Sequence, residues 1–184
     1  MKFCSNCGET VVREIPLGDN RLRFVCKSCG TIHYQNPRMI VGVLPTYKEK
    51  VLLCQRAIEP RKGLWTLPAG FLENNESTVE GAIRECFEES CARVVDVSLY
   101  GLYDIPHIHQ VYVFYRARME NPNFSTTEES SDVRLFLEED IPWDQLAFPV
   151  IELTLNSFFK DRKIGRFPVK QSQMETTWRR LKKP

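Results

Sequence analysis

The sequence lacks long hydrophobic runs, internal repeats and low-complexity tracts. Its most apolar stretch, residues 39–44, is far shorter than the roughly 20 residues that a membrane-spanning helix needs. The first residues contain no apolar segment of the kind found in secretory signal peptides. Hydrophobic residues still make up 42% of the 184 residues, which excludes a disordered chain. We therefore expect a globular protein of the reducing cytoplasm, without a membrane partner.

The chain also has little net charge, +1, but its charges are unevenly distributed. From Lys160 onward there are nine basic and two acidic residues, whereas the preceding part holds 16 basic and 22 acidic residues. An acidic body with a basic tail differs from the continuous basic surface of a dedicated nucleic-acid-binding protein. The charge pattern thus argues against a nucleic-acid partner. The tail is interpreted as a solvated segment, although Trp178 suggests that part of it docks on another surface.

Four of the seven cysteines form two Cys-x-x-Cys pairs, Cys4/Cys7 and Cys26/Cys29, with 18 residues between the pairs. Two residues between thiols let one tight turn present both sulfurs to the same ion, and two such pairs are typical of a tetrahedral zinc site. Four thiolates leave no open coordination position, so the zinc is expected to be structural. Disulfides or a redox-active pair are the alternatives, and they fit less well without a secretory signal.

A hairpin pattern lies between the two cysteine pairs, with runs at 10–15 and 21–25 and a turn at 16–20. Residues 1–36 are therefore predicted to form a zinc ribbon. His33 could compete as a ligand, but four cysteines already suffice. Cys54 and Cys86 fall on apolar patterns and are interpreted as small buried hydrophobic residues.

The pattern after the ribbon predicts one α/β (α+β) domain at 37–160, followed by the basic tail at 161–184. A helix is predicted at 77–91, and a second helix follows Pro149. Strand-like runs occur at 38–44, 51–56, 95–104, 110–118 and 132–137. A mixed sheet with helices packed on its faces accommodates this order of elements. The polar segment 121–131 is predicted to be a mobile loop.

The first predicted helix carries the most informative pattern. Ser77 is a suitable N-cap, and one side of the helix is expected to face the core: Val79, Ala82, Ile83, Cys86, Phe87 and Ser90. Glu85, Glu88 and Glu89 share another face, where their like charges repel. A hard divalent cation such as Mg²⁺ would compensate them, because it prefers oxygen ligands. A solvated acidic face is the alternative, and the glutamates alone favour it.

The residues around these glutamates reverse that preference, because they have the order and spacing of the Nudix box. The box positions are Gly70, Glu76, Arg84, Glu85, Glu88 and Glu89. The preceding runs at 52–56 and 63–71 also resemble the segments that lead into this box. The chain is therefore identified as a member of the Nudix family over about 37–160. The resemblance implies a Nudix α/β/α sandwich with a mixed sheet, preceded by the zinc ribbon.

This resemblance implies Mg²⁺- or Mn²⁺-dependent hydrolysis of a nucleoside diphosphate linked to another group. By their box positions, Glu85, Glu88 and Glu89 would hold one to three Mg²⁺ ions, together with the backbone carbonyl of Ala69. Arg84 and Glu76 would pair with each other and orient the site.

The remaining site residues are less well determined by the resemblance. Glu88 and Glu129 are the candidate general bases, and Glu128 is the nearest alternative. Arg56 is a candidate for binding phosphate, and the sequence favours a surface salt bridge for this residue equally. An aromatic ring should stack on adenine, and Phe71 is the candidate that we select. The other aromatic candidates are Tyr103, Tyr112 and Phe148.

The substrate class follows from a comparison of two groups that combine a zinc ribbon with a Nudix domain. NADH pyrophosphatases carry a Ser-Gln-Pro-Trp-Pro-Phe-Pro-like segment, and 144–149 is not close to it. Segments 34–37, 65–70 and 146–148 instead resemble pyrophosphatases of FAD and ADP-ribose. We expect an ADP-containing dinucleotide or ADP-sugar, of the ADP-ribose, FAD or NADH type, to be split into AMP and a phosphorylated product. A homodimer is also expected.

Two other classes of function remain open. A nucleotide-sensing regulatory module could use the ribbon or the tail to bind nucleic acid or protein, but the presence of all the box glutamates favours catalysis. Isoprenoid isomerisation would need another metal site and nucleophile, and the sequence shows no such set. Decapping of NAD-linked RNA is a conceivable side activity.

One position departs from the box. Cys91 stands where the box usually has a glycine, which ends the helix in a left-handed conformation. The form of this turn is therefore uncertain from the sequence, although Cys91 lies outside the predicted metal ligands.

Overall fold

The structure, a computed structural model, describes residues 1–174, and the basic tail beyond them, with Trp178, lies outside the described residues. The chain divides into two compact units, one formed by residues 1–37 and one that begins at Arg38. No helix in the described part of the chain is long and apolar enough to span a membrane.

The N-terminal unit is a three-stranded antiparallel sheet. Its strands, in spatial order, are β1 (Val11–Glu14), β2 (Arg23–Cys26) and β3 (Ile32–His33). Asp19 shapes the turn between β1 and β2, because its carboxylate accepts the backbone N–H of Asn20 at 2.7 Å and the Nε–H of Arg23 at 2.8 Å. This unit has the predicted hairpin between the two cysteine pairs.

The second unit is built on a mixed eight-stranded sheet with two helices. The strands are β4 (Arg38–Tyr47), β5 (Lys50–Arg56), β6 (Trp65–Thr66), β7 (Ala69–Phe71), β8 (Val94–Ile105), β9 (Gln110–Met119), β10 (Ser130–Phe136) and β11 (Lys170–Gln173). The helices are α1 (Thr78–Ser90) and α2 (Pro149–Ile164), and short 3-10 turns occur at Pro106–Ile108 and Trp143–Gln145.

Six strands of this sheet lie in the order β10-β5-β4-β9-β8-β11, with β6 beside β5 and β7 beside β4. Strands β4 and β9 are parallel, as are β8 and β11, and the other pairs are antiparallel. The parallel pair at the centre and the antiparallel neighbours make the sheet mixed, as the sequence predicted.

Side chains of β4 alternate between two hydrophobic cores, one on each face of the sheet. Ile40 and Leu44 belong to one core, together with residues of α2 such as Leu155. Val41 and Val43 belong to the other core, together with Ala82 and Cys86 of α1. Successive strand residues point to opposite faces, so a strand covered on both sides is apolar throughout. The predicted α/β/α sandwich is thereby confirmed.

The structure corrects two sequence expectations in this unit. The boundary expected after residue 160 falls inside α2, and β11 then pairs with β8 as a strand of the main sheet. The tail expected at 161–184 therefore begins with structured residues. On α1, Ile83 and Phe87 are 37% and 46% exposed rather than turned into the core. The spacing of apolar residues predicts which side of a helix is buried, but it does not define where the edges of the buried side lie.

Both ends of α1 are defined by local interactions. The Ser77 side chain accepts the N–H of Glu80 at 3.3 Å, and the Glu80 carboxylate accepts the N–H of Ser77 at 2.8 Å, which is a capping box. At the other end Cys91 has φ 56°, and its N–H donates to the carbonyl of Phe87 at 2.7 Å. The left-handed turn that glycine usually supplies is thus made by a cysteine.

Cys91→Gly is expected to stabilise the protein, because a Cβ is strained in the left-handed conformation and glycine is not. We expect the free energy of unfolding, measured by urea denaturation, to rise by about 0.5–1 kcal/mol. Cys91→Ala is the matched control, since it removes the thiol but keeps the Cβ, and it should give no such gain. An equal gain in both variants would show that the thiol, rather than the backbone, is responsible.

Candidate functional site

The four predicted zinc ligands come together at one end of the ribbon. Their sulfur atoms all lie within 4.8 Å of one another, with Cys4 Sγ 3.7 Å from Cys29 Sγ and Cys7 Sγ 3.5 Å from Cys26 Sγ. Tetrahedral zinc with Zn–S bonds of about 2.3 Å places its sulfurs roughly 3.8 Å apart. The size of the cluster therefore fits a structural zinc ion.

Neighbouring groups favour a thiolate at Cys29, whereas hydrogen bonds with Cys26 and Cys29 raise the pKa of the Cys7 thiol. The hydroxyl of Thr31 lies 3.0 Å from Cys29 Sγ, and this contact lowers the pKa of the Cys29 thiol to about 5. The backbone N–H of Asn6 donates to Cys4 Sγ at 3.4 Å. The ring nitrogen Nε2 of His33 lies 3.3 Å from Cys4 Sγ. His33 thus contacts a ligand from outside the four-sulfur set, and it is not itself a member of the set.

In the second unit, the carboxylates of α1 face strand β7. Glu85 and Glu89 are only 9% and 6% exposed, whereas the Glu88 side chain is 55% exposed. The backbone N–H of Ala69 donates to Glu89 Oε2 at 3.2 Å. A Cβ on Gly70 would collide with the Glu85 carboxylate, so the glycine leaves room for that carboxylate beside β7.

Arg84 connects three of the box carboxylates. Its Nε and Nη2 donate to the two oxygens of Glu76 at 2.9 and 2.8 Å, which is a bidentate pair. Its Nη1 donates to Glu85 at 2.8 Å and to Glu88 at 2.7 Å, and Nη2 reaches the carbonyl of Phe71 at 3.1 Å. One guanidinium thereby joins the loop before α1, the helix itself and the end of β7.

The buried carboxylates are poorly compensated by these contacts. Burial raises the pKa of Glu89 to about 8, and the charges of Glu85 and Glu129 add to this effect. Burial also raises the pKa of Glu85. The opposite holds for Glu76, because its hydrogen bonds to Arg84 lower its pKa to about 2. Carboxylates with uncompensated charge offer the oxygen ligands that a hard divalent cation prefers, although within residues 1–174 only the four cysteines bring their ligand atoms within 4.8 Å of one another.

These carboxylates form one wall of a cavity of about 830 Å³. Of the predicted site residues, the cavity is lined by Arg56, Ala69, Phe71, Arg84, Glu85, Glu88, Glu89 and Glu129. Glu76 lies behind Arg84 and outside the lining, as its pairing role requires. Among the other aromatic candidates, Tyr112 and Phe148 line the cavity, whereas Tyr103 is 1% exposed in the core and does not.

The loop before β10 brings Glu129 to this wall and leaves Glu128 outside the lining. The carbonyl of Glu129 accepts the N–H of Ala57 at 2.8 Å, and the Thr127 hydroxyl accepts the N–H of Glu129 at 3.3 Å. The strand that follows pairs Ser130 with Arg56. The register of β10 on β5 therefore decides which of the two adjacent glutamates faces the cavity.

Two guanidinium groups in the cavity wall lie over aromatic rings. The Arg38 guanidinium is 5.1 Å from the centre of the Phe71 ring, and that of Arg56 is 5.4 Å from the centre of the Phe148 ring. Arg56 also donates from Nε to the carbonyl of Pro60 at 2.8 Å. No ion pair involves Arg56 within residues 1–174, so the salt-bridge alternative for this residue is not what the structure shows.

The polar cavity residues that the sequence did not indicate include Arg38, His107 and Gln110. Arg38 begins β4 and pairs with Gln110 at the start of β9, and His107 lies in the turn before β9. Parallel pairing of strands more than 70 positions apart in the chain brings them together. No local pattern indicates such a contact.

Comparison with known proteins gives a consistent result for both units. Residues 2–35 match the family described as Nudix N-terminal, a zinc ribbon, and residues 36–154 match the NUDIX domain. A crystal structure of a NUDIX hydrolase from Nitrosomonas europaea is 49% identical, with a TM-score of 0.89, and the match covers 95% of this chain and 100% of that one.

Curated relatives are longer than this chain. The NAD-capped RNA hydrolase NudC of Vibrio parahaemolyticus is 27% identical over 88% of this chain and 62% of its own length. The NAD-capped RNA hydrolase of Schizosaccharomyces pombe is 32% identical over 78% of this chain and 43% of its own length. The chain thus spans less than two thirds of the length of these relatives.

The sandwich fold, the box carboxylates and the cavity beside them are features of the Nudix class. The NUDIX match covers more than half of the chain, and the chain belongs to the Nudix family, in the form that carries an N-terminal zinc ribbon.

Loss of one zinc ligand should release the metal. Cys4→Ser and Cys26→Ser are expected to lower the zinc content from one ion per chain and to destabilise the N-terminal unit, because a small metal site contributes directly to folding. Metal analysis and limited proteolysis measure the two effects. Cys91→Ser is the control, since this exposed cysteine lies outside the cluster. Full zinc content in both ligand variants would contradict the assignment.

The buried Glu89 carboxylate should make stability depend on pH when no divalent cation is added. The folded protein holds this proton more tightly than the unfolded chain, whose pKa is near 4.5. The stabilisation of the folded state by protonated Glu89 is fully present below about pH 4.5 and is lost as the pH rises through about 8. Glu89→Gln should therefore raise the melting temperature by several degrees at pH 9 and change it little at pH 5.

Glu88→Gln is the matched control for this measurement, because Glu88 lies on the same helix but is exposed. It should change the melting temperature much less than Glu89→Gln at pH 9. An effect of Glu89→Gln that is equal at both pH values would contradict the raised pKa.

Proposed function

We propose that this Nudix hydrolase cleaves the diphosphate of an ADP-containing dinucleotide or ADP-sugar, of the ADP-ribose, FAD or NADH type, into AMP and a phosphorylated product. The observation that carries the proposal is the cavity of about 830 Å³, in which Glu85, Glu88, Glu89 and Glu129 form one wall. Guanidinium groups, aromatic rings and aliphatic side chains such as Ile58 and Ile151 line much of the rest. A diphosphate between two bulky groups has the chemistry that such a cavity accommodates.

The box carboxylates would hold Mg²⁺ or Mn²⁺. Glu85, Glu88 and Glu89 supply the oxygens, and the backbone carbonyl of Ala69 is the additional proposed ligand. A divalent ion bound there would neutralise diphosphate charge and lower the pKa of an attacking water. The site supports this role because Gly70 leaves room beside the Glu85 carboxylate and because Arg84 neutralises only part of the charge on the cluster.

The protein's own groups would carry out the proton transfer. Glu129 or Glu88 accepts a proton from water while the water oxygen bonds to phosphorus. The bond from that phosphorus to the bridging oxygen breaks, and the bridging oxygen keeps the electron pair and then takes up a proton. Arg56, held by the carbonyl of Pro60, would donate hydrogen bonds to the diphosphate oxygens.

An aromatic ring would hold the base. Phe71 is 47% exposed within the cavity lining and so offers a ring face to a planar heterocycle. A guanidinium lies over one face of both the Phe71 and the Phe148 rings, but Phe148 is half-buried and Tyr112 is 9% exposed, so both are less accessible than Phe71. The selection of Phe71 as the stacking residue therefore stays our proposal.

A second candidate substrate is NAD-linked RNA. The names of the relatives with 27% and 32% identity favour it, and they call into question the expectation that nucleic acid is not a partner. The diphosphate chemistry would be unchanged, because NAD at the end of an RNA is itself an ADP-containing dinucleotide. A homodimer and a cytoplasmic location remain predictions.

The test is hydrolysis of a substrate panel with Mg²⁺: ADP-ribose, FAD, NADH, diadenosine polyphosphates, nucleoside triphosphates and a short NAD-capped RNA. We expect AMP, or RNA with a 5′-phosphate, from one or two members. Glu85→Gln and Glu89→Gln should lower turnover by roughly 100-fold or more while the protein stays folded. Glu129→Gln should also lower turnover, and Glu128→Gln is its control because the adjacent side chain lies outside the cavity lining.

Turnover of the whole panel at the background rate, by a folded and zinc-bound protein, would contradict the proposed activity and favour the nucleotide-sensing module. Wild-type turnover in folded Glu89→Gln would contradict the role of the box carboxylates. Equal losses in Glu128→Gln and Glu129→Gln would contradict the choice of Glu129.

A further inference from the structure

One group of polar side chains in the cavity has no part in the carboxylate wall. Arg38 begins β4, Gln110 begins β9, and His107 lies in the 3-10 turn before β9, and all three line the cavity. Arg38 pairs with Gln110 in the parallel register of β4 and β9, and its N–H donates to the carbonyl of His109 at 2.9 Å. We call Arg38, His107 and Gln110 the donor cluster, because each side chain carries N–H groups that can donate hydrogen bonds.

The side chains of the donor cluster are available to a ligand. Within residues 1–174, none of the three forms a hydrogen bond or an ion pair. The other two arginines of the cavity are engaged, since Arg84 binds three carboxylates and Arg56 donates to the carbonyl of Pro60. The exposed Arg38 side chain instead contacts an aromatic ring, with its guanidinium 5.1 Å from the centre of Phe71.

The donor cluster is separated from the proposed metal site along β4. In the antiparallel pair of β4 and β7, Gly42 is opposite Ala69 and Ile40 is opposite Phe71, and Arg38 lies two residues further along β4. Because a strand rises about 3.3 Å per residue, the backbone of Arg38 is about 13 Å from that of Gly42. The donor cluster and the carbonyl of Ala69 therefore belong to different parts of the same cavity.

The position of Phe71 indicates which part of a nucleotide would reach the donor cluster. The Arg38 guanidinium covers one face of the Phe71 ring, so a base that stacks on this ring uses the other face. The 2′ and 3′ positions of a ribose lie on the side opposite to its 5′ diphosphate. With the diphosphate at the carboxylate wall, these two positions would point away from that wall and toward the donor cluster.

A phosphate is the ligand that the chemistry of the donor cluster suits. A guanidinium can donate two parallel hydrogen bonds to phosphate oxygens, and His107 and Gln110 add further donors. Glu73 also lines the cavity, but it forms no ion pair with Arg38 within the part of the chain that the structure describes. The positive charge of Arg38 is therefore free to attract an anion, which a neutral ribose hydroxyl would not exploit.

We propose that the donor cluster binds a phosphate attached to the 2′ or 3′ position of the ribose in the adenosine half of the substrate. The cavity then favours adenine nucleotides that carry this phosphate over those with free ribose hydroxyls. The phosphate can be a terminal group or a phosphodiester that continues into an RNA chain. This binding mode rests on the proposed use of the cavity for adenine nucleotides, and it adds a subsite that determines specificity.

Binding of product-like nucleotides tests the subsite without turnover. Calorimetric titration of the full-length, zinc-bound protein with Mg²⁺ compares AMP, adenosine 2′,5′-bisphosphate and adenosine 3′,5′-bisphosphate. We expect one of the bisphosphates to bind about tenfold more tightly than AMP, because hydrogen bonds between charged groups are the strong ones. High salt should reduce this preference by screening the charge attraction.

Variants of the donor cluster locate the contact. Arg38→Gln should remove most of the preference for the bisphosphate, and Gln110→Ala and His107→Ala should each reduce it to a smaller extent. Arg93→Gln is the matched control, since the Arg93 guanidinium also lies over an aromatic ring, 5.4 Å from the centre of Phe87, but does not line the cavity. It should retain the full preference.

Two pairs of substrates identify the source of the phosphate. The ratio of kcat/KM between NADPH and NADH reports on a terminal 2′-phosphate. The ratio between a short NAD-capped RNA and NAD reports on a 3′ phosphodiester. We expect one of the two ratios to exceed one in the wild type and to fall in Arg38→Gln.

Several results would overturn the proposed subsite. These are equal affinities for the three products in the wild type, no binding of any of them, and a preference that survives Arg38→Gln or is lost in Arg93→Gln. Equal weakening of all three ligands in Arg38→Gln would assign Arg38 to the base or the diphosphate instead.

Failure of the subsite and failure of the proposed function are distinguishable. Hydrolysis of the substrate panel together with equal product affinities would contradict the subsite alone. An intact preference for a bisphosphate in a protein that hydrolyses no member of the panel would support the subsite and contradict the proposed activity.

Discussion

The burial of like-charged carboxylates against strand β7 is the constraint on which the rest of the second unit depends. Glu85 and Glu89 lie almost fully buried next to Glu129, and burying ionised carboxylates without full compensation is costly. The helix that presents them must therefore be held by other interactions. Ala82 and Cys86 anchor it to the sheet, and the capping box of Ser77 and Glu80 stabilises its first turn.

Arg84 links this acidic cluster to the surrounding backbone. Its bidentate pair with Glu76 holds the loop before α1, and its contacts with Glu85 and Glu88 reach the face that would bind metal. A single guanidinium cannot neutralise several carboxylates. The site therefore has a fixed geometry and an excess of negative charge, and this combination is suited to a divalent cation and a diphosphate.

The two units are stabilised by different means. The ribbon has few buried apolar residues. The four cysteines with a bound zinc ion must therefore provide the stabilisation that a hydrophobic core provides in larger domains. The second unit instead has one hydrophobic core on each face of its sheet, filled from α1 on one side and α2 on the other. This arrangement lets loops from distant parts of the chain meet over one cavity.

Features that depend on neighbouring residues in the chain were accessible from the sequence. The cysteine pairs, the spacing of the box glutamates and the cap at Ser77 are local patterns, because helical turns and zinc-binding turns are each made within a few residues. The apolar strands could be located for the same reason. The orientation of Ile83 and Phe87 was not accessible, since it depends on where neighbouring elements cover the helix.

The sequence by itself determined the family, the zinc ligands and the carboxylates of α1. Only the tertiary structure decided that Glu129 rather than Glu128 faces the cavity, that Tyr103 is a core residue, and that β11 belongs to the main sheet. It also placed Arg38 and Met174 in the same cavity wall. Each of these depends on strand register or on pairing between segments far apart in the chain, and such long-range contacts leave no periodic pattern in the sequence.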